Sequence, residues 1–198
     1  MKILVLKETK THKPDLMGCA ATEAFSLLDD IVTTATIQVG GILKTVTAIK
    51  ELAKQYQPDI VVAQKMLASI VLFELPKSIR KIIIDPYLLF DNGRDAVALA
   101  MIMKYGSIRL NNWLDNASEK FRKNPQAFGI DNCFCIAQNY SIDQRIDGLF
   151  AGTSNIVLVN KSENVLDTLS TYHRALNQAR SYLDPNFELP NLEELIKE

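Results

Sequence analysis

Pro58-Asp59-Ile60-Val61-Val62-Ala63-Gln64-Lys65-Met66-Leu67-Ala68 is the stretch that decides the fold. Four consecutive apolar residues, Ile60 to Ala63, follow a Pro-Asp turn. From Met66 onward the apolar positions change to helical steps, Met66, Ile70 and Phe73, until Pro76 stops them. A short unbroken apolar run reads as a strand with no solvent face, and the change of period marks a sharp passage into a helix, with Lys65 at its apex. Lys81-Ile82-Ile83-Ile84-Asp85-Pro86-Tyr87-Leu88 then supplies a second such strand, ending in Asp-Pro. A strand, a helix and a strand of this kind form a right-handed crossover with the two strands parallel.

The same alternation extends outward. Ile3–Leu6, Thr36–Val39, Cys133–Ala137 and Asn155–Val159 are further strand candidates. Ile42, Val46, Ile49 and Leu52 recur at helical spacing after Gly40-Gly41. A last helix is expected from Glu163 to about Tyr182, with Ser162 as its N-cap and Leu166, Leu169, Tyr172, Leu176 and Ala179 as its apolar stripe. The fold class is therefore α/β, a three-layer α/β/α sandwich around a mainly parallel sheet. Residues 1–184 read as one domain, with a helical insertion at about 93–128 that carries Trp113 and lies over an edge or the top of the sheet. Residues 185–198 read as a linker and a short helix.

Composition excludes several classes. The chain has 198 residues, 22 basic and 23 acidic side chains and a net charge of -1, so it lacks the basic footprint of a nucleic-acid-binding protein. Only 8 glycines occur, and no Gly-x-Gly-x-x-Gly. Gly40-Gly41-Ile42-Leu43-Lys44-Thr45 has Leu43 where a phosphate loop needs glycine, so it reads as a turn feeding a helix. Cys19, Cys133 and Cys135 lack metal-ligand spacing, and Cys133 and Cys135 sit on one strand face as buried reduced thiols. His12 and His173 are too isolated for a metal site. The longest apolar run, Ala96 to Met103, is too short to span a bilayer. No cofactor, metal, membrane or nucleic-acid partner is expected, and the chain reads as cytoplasmic.

Ligand sites of open α/β sheets gather at the carboxyl ends of strands, here Lys7–Thr9, Ala63–Lys65, Asp85–Tyr87, Asn139–Asp143 and Asn160–Glu163. The unit around Lys65, the Asp85-Pro86 element, Asn139-Tyr140-Ser141-Ile142-Asp143 after the Cys133 strand, and Asn160 to Asn164 after the last strand together resemble the α/β-hydrolase superfamily. The likeness is to its small single-domain bacterial esterase-like proteins. That resemblance implies a degenerate catalytic triad. The elbow reads Ala63-Gln64-Lys65-Met66-Leu67 in place of Gly-x-Ser-x-Gly, so Lys65 holds the nucleophile position and a wider turn is expected. Asp143 holds the acid position and Glu163 or Asn164 that of the histidine; Lys7-Glu8-Thr9 replaces the oxyanion-loop His-Gly.

The resemblance implies a hydrolase-like protein without the Ser/His pair, a pseudoenzyme that binds a small-molecule ligand or a protein partner, with a homo-oligomer as a further form. In that reading Lys65 pairs with Asp143 or Glu163 as a salt bridge in the vacated site. Two alternatives stand beside it: an active ester or thioester hydrolase using a rearranged set such as Lys65, Asp143 and His12 or His173, and a flavodoxin-like binding module. Asp85 is expected to cap its turn, Ser69 to pack against the sheet, His173 to be half-buried, and Tyr87, Tyr140 and Trp113 either to line a pocket or to serve as ordinary cover at strand ends.

Overall fold

The computed structural model describes residues 1–8, 31–88, 103, 105, 107–138, 155–159, 164–184 and 186–187. Its strands are β1 (Lys2–Glu8), β2 (Ile31–Ile37), β3 (Ile60–Gln64), β4 (Arg80–Ile84), β5 (Cys133–Gln138) and β6 (Ile156–Val159). Its helices are α1 (Ile42–Tyr56), α2 (Lys65–Glu74), α3 (Ile108–Lys123) and α4 (Val165–Leu183). The sheet order is β2-β1-β3-β4-β5-β6, and all five pairings are parallel. The chain lays β2 on one side of β1 and every later strand on the other, so the order reverses between β1 and β3.

Alternate residues of each central strand serve two separate cores. Leu4, Leu6, Val61, Ala63, Ile83, Cys133 and Cys135 pack beneath α1, α2 and α3, while Ile3, Val5, Ile60, Val62, Ile82, Ile84, Phe134 and Ile136 pack beneath α4. This is why the central strands read as unbroken apolar runs. Helix α2 lies between the sheet and its neighbours and buries every residue from Met66 to Leu72, which explains its apolar composition on all sides. Helix α3 shares the layer of α1 and α2. It is started by Ser107, whose Oγ accepts the Leu110 N–H at 3.2 Å, and Phe73 meets Trp113, Phe121 and Phe128 edge to face at 5.5–5.9 Å.

Three local expectations are corrected. Strand β2 runs from Ile31 to Ile37 and not from Thr36 to Val39: an edge strand needs no continuous apolar run, so Thr33-Thr34 conceals it. Helix α4 is capped by Asn164, whose Oδ1 accepts the Leu166 N–H at 2.9 Å, and not by Ser162. Leu166 lies outside the apolar stripe, being 73% exposed.

Two features of the β4–β5 side strain ordinary rules. Gly129 (φ 70°) joins two 3₁₀ turns, Pro125–Phe128 and Ile130–Asn132, and a Cβ there would come 2.6 Å from Lys77 Cβ and 2.8 Å from its Cα. Lys81 is completely buried, opposite Cys133 in register, and its Nζ donates to Phe128 O at 3.3 Å. Burial lowers its pKa, against the smaller opposing pull of the Cys133 thiol. Burial also pushes the Cys133 thiol up to about 12.

Two outcomes follow. Gly129→Ala should lower the urea midpoint by an amount equivalent to about 2 kcal/mol, because left-handed backbone and steric overlap act together. Lys81→Met should raise stability at neutral pH by about 1–3 kcal/mol, since a charge held by one carbonyl leaves the core. The unfolded lysine holds its proton more firmly than the folded one, so wild-type stability gains as pH climbs from the lowered folded value to the free value of 10.5. The advantage of Lys81→Met should therefore shrink over that interval in urea titrations at stepped pH.

Candidate functional site

The carboxyl ends of β1, β3 and β4 form one rim at the point where strand order reverses, and each end is shaped by a different device. Strand β3 passes into α2 without an intervening loop, and Lys65 absorbs the change of direction at φ 53°. The wider turn expected from Ala63 and Leu67 does not form. At the end of β4 Asp85 takes φ 45° while its N–H still reaches Ile136 O of β5 at 2.9 Å. Left-handed backbone costs a residue with a side chain roughly 1–3 kcal/mol, and such strain gathers at binding and catalytic rims.

Beyond Asp85 the chain is fastened from below. Ser69 is buried, and its Oγ lies 2.6 Å from Tyr87 O and 3.3 Å from Lys65 O, so its proton goes to the nearer carbonyl. Ser69 therefore packs as a tie between the two strained ends. At the end of β1, the hydroxyl of Tyr105 donates to Glu8 Oε1 at 2.6 Å. Burial first, then Glu8 and the nearby Tyr87, drives the Tyr105 phenol well above its ordinary range and keeps it a donor. Glu8, Tyr87 and Tyr105 thus form one polar group beside the reversal point, 97 residues separating Glu8 from Tyr105 in sequence.

Two helices begin at this rim without a side-chain cap. Gly41 precedes α1 and Gln64 precedes α2. Thr45 folds back instead, its Oγ1 accepting the Gly40 N–H at 3.3 Å and lying 3.3 Å from Gly41 O. The Gly40-Gly41 turn feeds a helix at Ile42, as its sequence indicates. Among the described residues no three His, Cys, Asp or Glu side chains come together as a metal-binding group, and no helix is long and apolar enough to cross a membrane.

Of the residues singled out in the sequence, Lys65 stands exposed on the rim. Asp143 and Glu163 lie outside the described residues, as do His12, Cys19 and Tyr140. Trp113 donates its Nε1–H to Glu74 at 3.0 Å and stacks edge-on to Phe73, so it belongs to the packing between α2 and α3. His173 is half-buried, with Nδ1 3.5 Å from Asn177 Nδ2. Cys133 and Cys135 are buried free thiols of one core. Sequence reasoning missed the Glu8–Tyr105 pair. Glu8 stood out only as a departure from a motif, and nothing near Tyr105 signals its partner.

Tyr105→Phe should destabilise the fold by about 1.5–3 kcal/mol, the worth of a hydrogen bond to a charged acceptor. The raised folded pKa means that the contribution is complete below pH 10.0, the free phenol value, and is lost as pH rises above it. Chemical denaturation of both proteins at pH 8 and pH 11 should show the gap narrowing.

Comparison with known proteins returned no matching family model and no matching curated protein. Among solved structures the chain is similar to a 5-methylthioribose transporter solute-binding protein from Thermotoga lettingae TMO, solved with 5-methylthioribose. The identity is 11%, 99% of this chain and 91% of that one are covered, and the TM-score is 0.38. A likeness at that level carries no assignment. The esterase resemblance is corrected: no family model matches the chain, of a hydrolase or of any other kind. It rested on the order and spacing of βα units, which open parallel sheets share, without the Gly-x-Ser-x-Gly residues that would have made it specific. What stands is an α/β fold whose described residues form a parallel sheet of six strands flanked by helices.

Proposed function

We propose that the protein is a small-molecule-binding α/β module whose ligand rests on the carboxyl rim between β1 and β3. The observation that carries this reading is the pair of left-handed, non-glycine residues, Lys65 and Asp85, at neighbouring strand ends beside the Glu8–Tyr105 bond. Two of the three left-handed, non-glycine residues among the described ones stand where open α/β sheets hold their ligands, which supports a binding role; the third, Gln57, closes α1. The rim offers an exposed ammonium at Lys65, carboxylates at Glu8 and Asp85, and the phenols of Tyr87 and Tyr105. Such a set suits a polar ligand with several hydrogen-bonding groups. Asp143 and Glu163 belong to the proposed rim by their position in the sequence, after β5 and β6.

The strand order also supports the flavodoxin-like alternative, since that class seats its flavin at the β1/β3 reversal. The first measurement is therefore the visible absorbance and flavin fluorescence of the purified protein. The second is a thermal-shift screen against polar metabolites, including sugars, nucleosides and flavins. A ligand present at a hundred times its Kd should add about 2.7 kcal/mol of stability. That gain should fall at least about tenfold in affinity terms in Lys65→Ala and Glu8→Gln. A ligand that stabilises both variants as well as the wild type would place binding elsewhere and remove this reading.

A further inference from the structure

At the opposite, amino edge of the sheet an open cleft of about 540 Å³ lies where β1, β3 and β4 begin and α4 ends. Its walls combine the apolar surfaces of Pro58 and Ile79 with two acids and two arginines. One of these pairs is already committed. Arg180 is 5% exposed, and its Nη1 donates to Asp184 Oδ2 at 2.8 Å. Its Cζ lies 4.8 Å from the centroid of the Phe187 ring. Asp184 also accepts the Asn186 N–H at 3.3 Å, and the Arg180 bond holds its carboxyl below the usual range. This pair is a strut at the end of α4.

The second pair is held more loosely: the Arg80 charge helps to keep the Asp184 carboxyl low without being bonded to it. Arg80 opens β4, is half-buried, and forms no hydrogen bond or ion pair among the described residues. Asp59, an exposed residue, accepts the Lys2 N–H with Oδ2 at 2.8 Å, which fixes its carboxylate. Register places Ile60 against Arg80, so Asp59, the residue before β3, lies one step from Arg80 along the amino edge. Ser78, exposed, adds a hydroxyl. A guanidinium fork recognises a carboxylate in two parallel bonds, and a fixed carboxylate recognises an ammonium.

We infer that this cleft binds a small zwitterion, an α-amino acid with an apolar side chain, its carboxylate on Arg80, its ammonium on Asp59 and its side chain against Pro58 and Ile79. A singly charged ligand would meet one of the two groups with the wrong sign. The site is separate from the carboxyl rim and does not depend on it.

The test is isothermal titration calorimetry of the full chain with L-leucine. The same titration is run with the carboxylic acid that lacks its amine and with the amine that lacks its carboxylate. Leucine should bind, and each analogue should bind at least about tenfold more weakly. Arg80→Gln and Asp59→Asn should each weaken leucine at least about tenfold while keeping the wild-type urea midpoint, because asparagine retains an acceptor for the Lys2 amide. Absence of heat with saturating leucine, equal affinity for either analogue, or undiminished affinity in both variants would overturn the inference. The analogue series on the wild-type chain decides the matter even if a variant does not fold.

Discussion

Ile60–Ala63 of β3 and Ile82–Ile84 of β4 have no face open to water, and most of the architecture is a response to that constraint. Ile60, Val61, Val62 and Ala63, with Ile82, Ile83 and Ile84 beside them, alternate between two cores that must both be roofed. On one side α2 serves as a buried, mainly apolar slab beside α1 and α3; on the other, α4 lays Tyr172, Leu176, Ala179 and Leu183 across the sheet. Lys81 is a charged side chain driven fully into this interior, and the carbonyl of Phe128 reaches it. The cost of that arrangement is borne by burial energy elsewhere in the same core.

A sheet closed on both faces can offer chemistry only at its two ends, and the ends differ in kind. The carboxyl rim is built by backbone: Lys65 and Asp85 bend left-handed, and Ser69 ties them together from below. The amino edge is built by charge, with an arginine and an aspartate pinned at the close of α4 and a second, looser set at the start of β3 and β4.

The layered fold was legible because its central strands are extreme. Ile60–Ala63 and Ile82–Ile84 admit few readings other than buried parallel strands, and Pro76 and Gly40-Gly41 mark helix ends plainly. Strand β2 was not legible, because an edge strand of threonines shows little hydrophobic signal. The site was legible in position but not in composition. Strand ends can be counted from the sequence, whereas the meeting of Glu8 with Tyr105 depends on how a distant helix is laid down. Order and spacing also misled: the βα rhythm around Lys65 suggested a hydrolase lineage that the comparisons do not bear out, since rhythm belongs to the architecture and not to any one family.

The spacing of the crossovers has a consequence for how the molecule assembles and loosens. Strands β3 and β4 are joined through α2 alone, so their pairing closes a short loop, whereas β4 must wait for the chain from Asp85 to Asn132 before Cys133 can dock beside Lys81. Loop-closure entropy favours the first seam and delays the second. Strand β6, four residues long at the far margin, has pairing on one side only among the described strands. Amide hydrogens should accordingly exchange last along Ile60–Ala63 and Ile82–Ile84 and earliest along Ile156–Val159, so that the sheet loosens from its β6 margin inward.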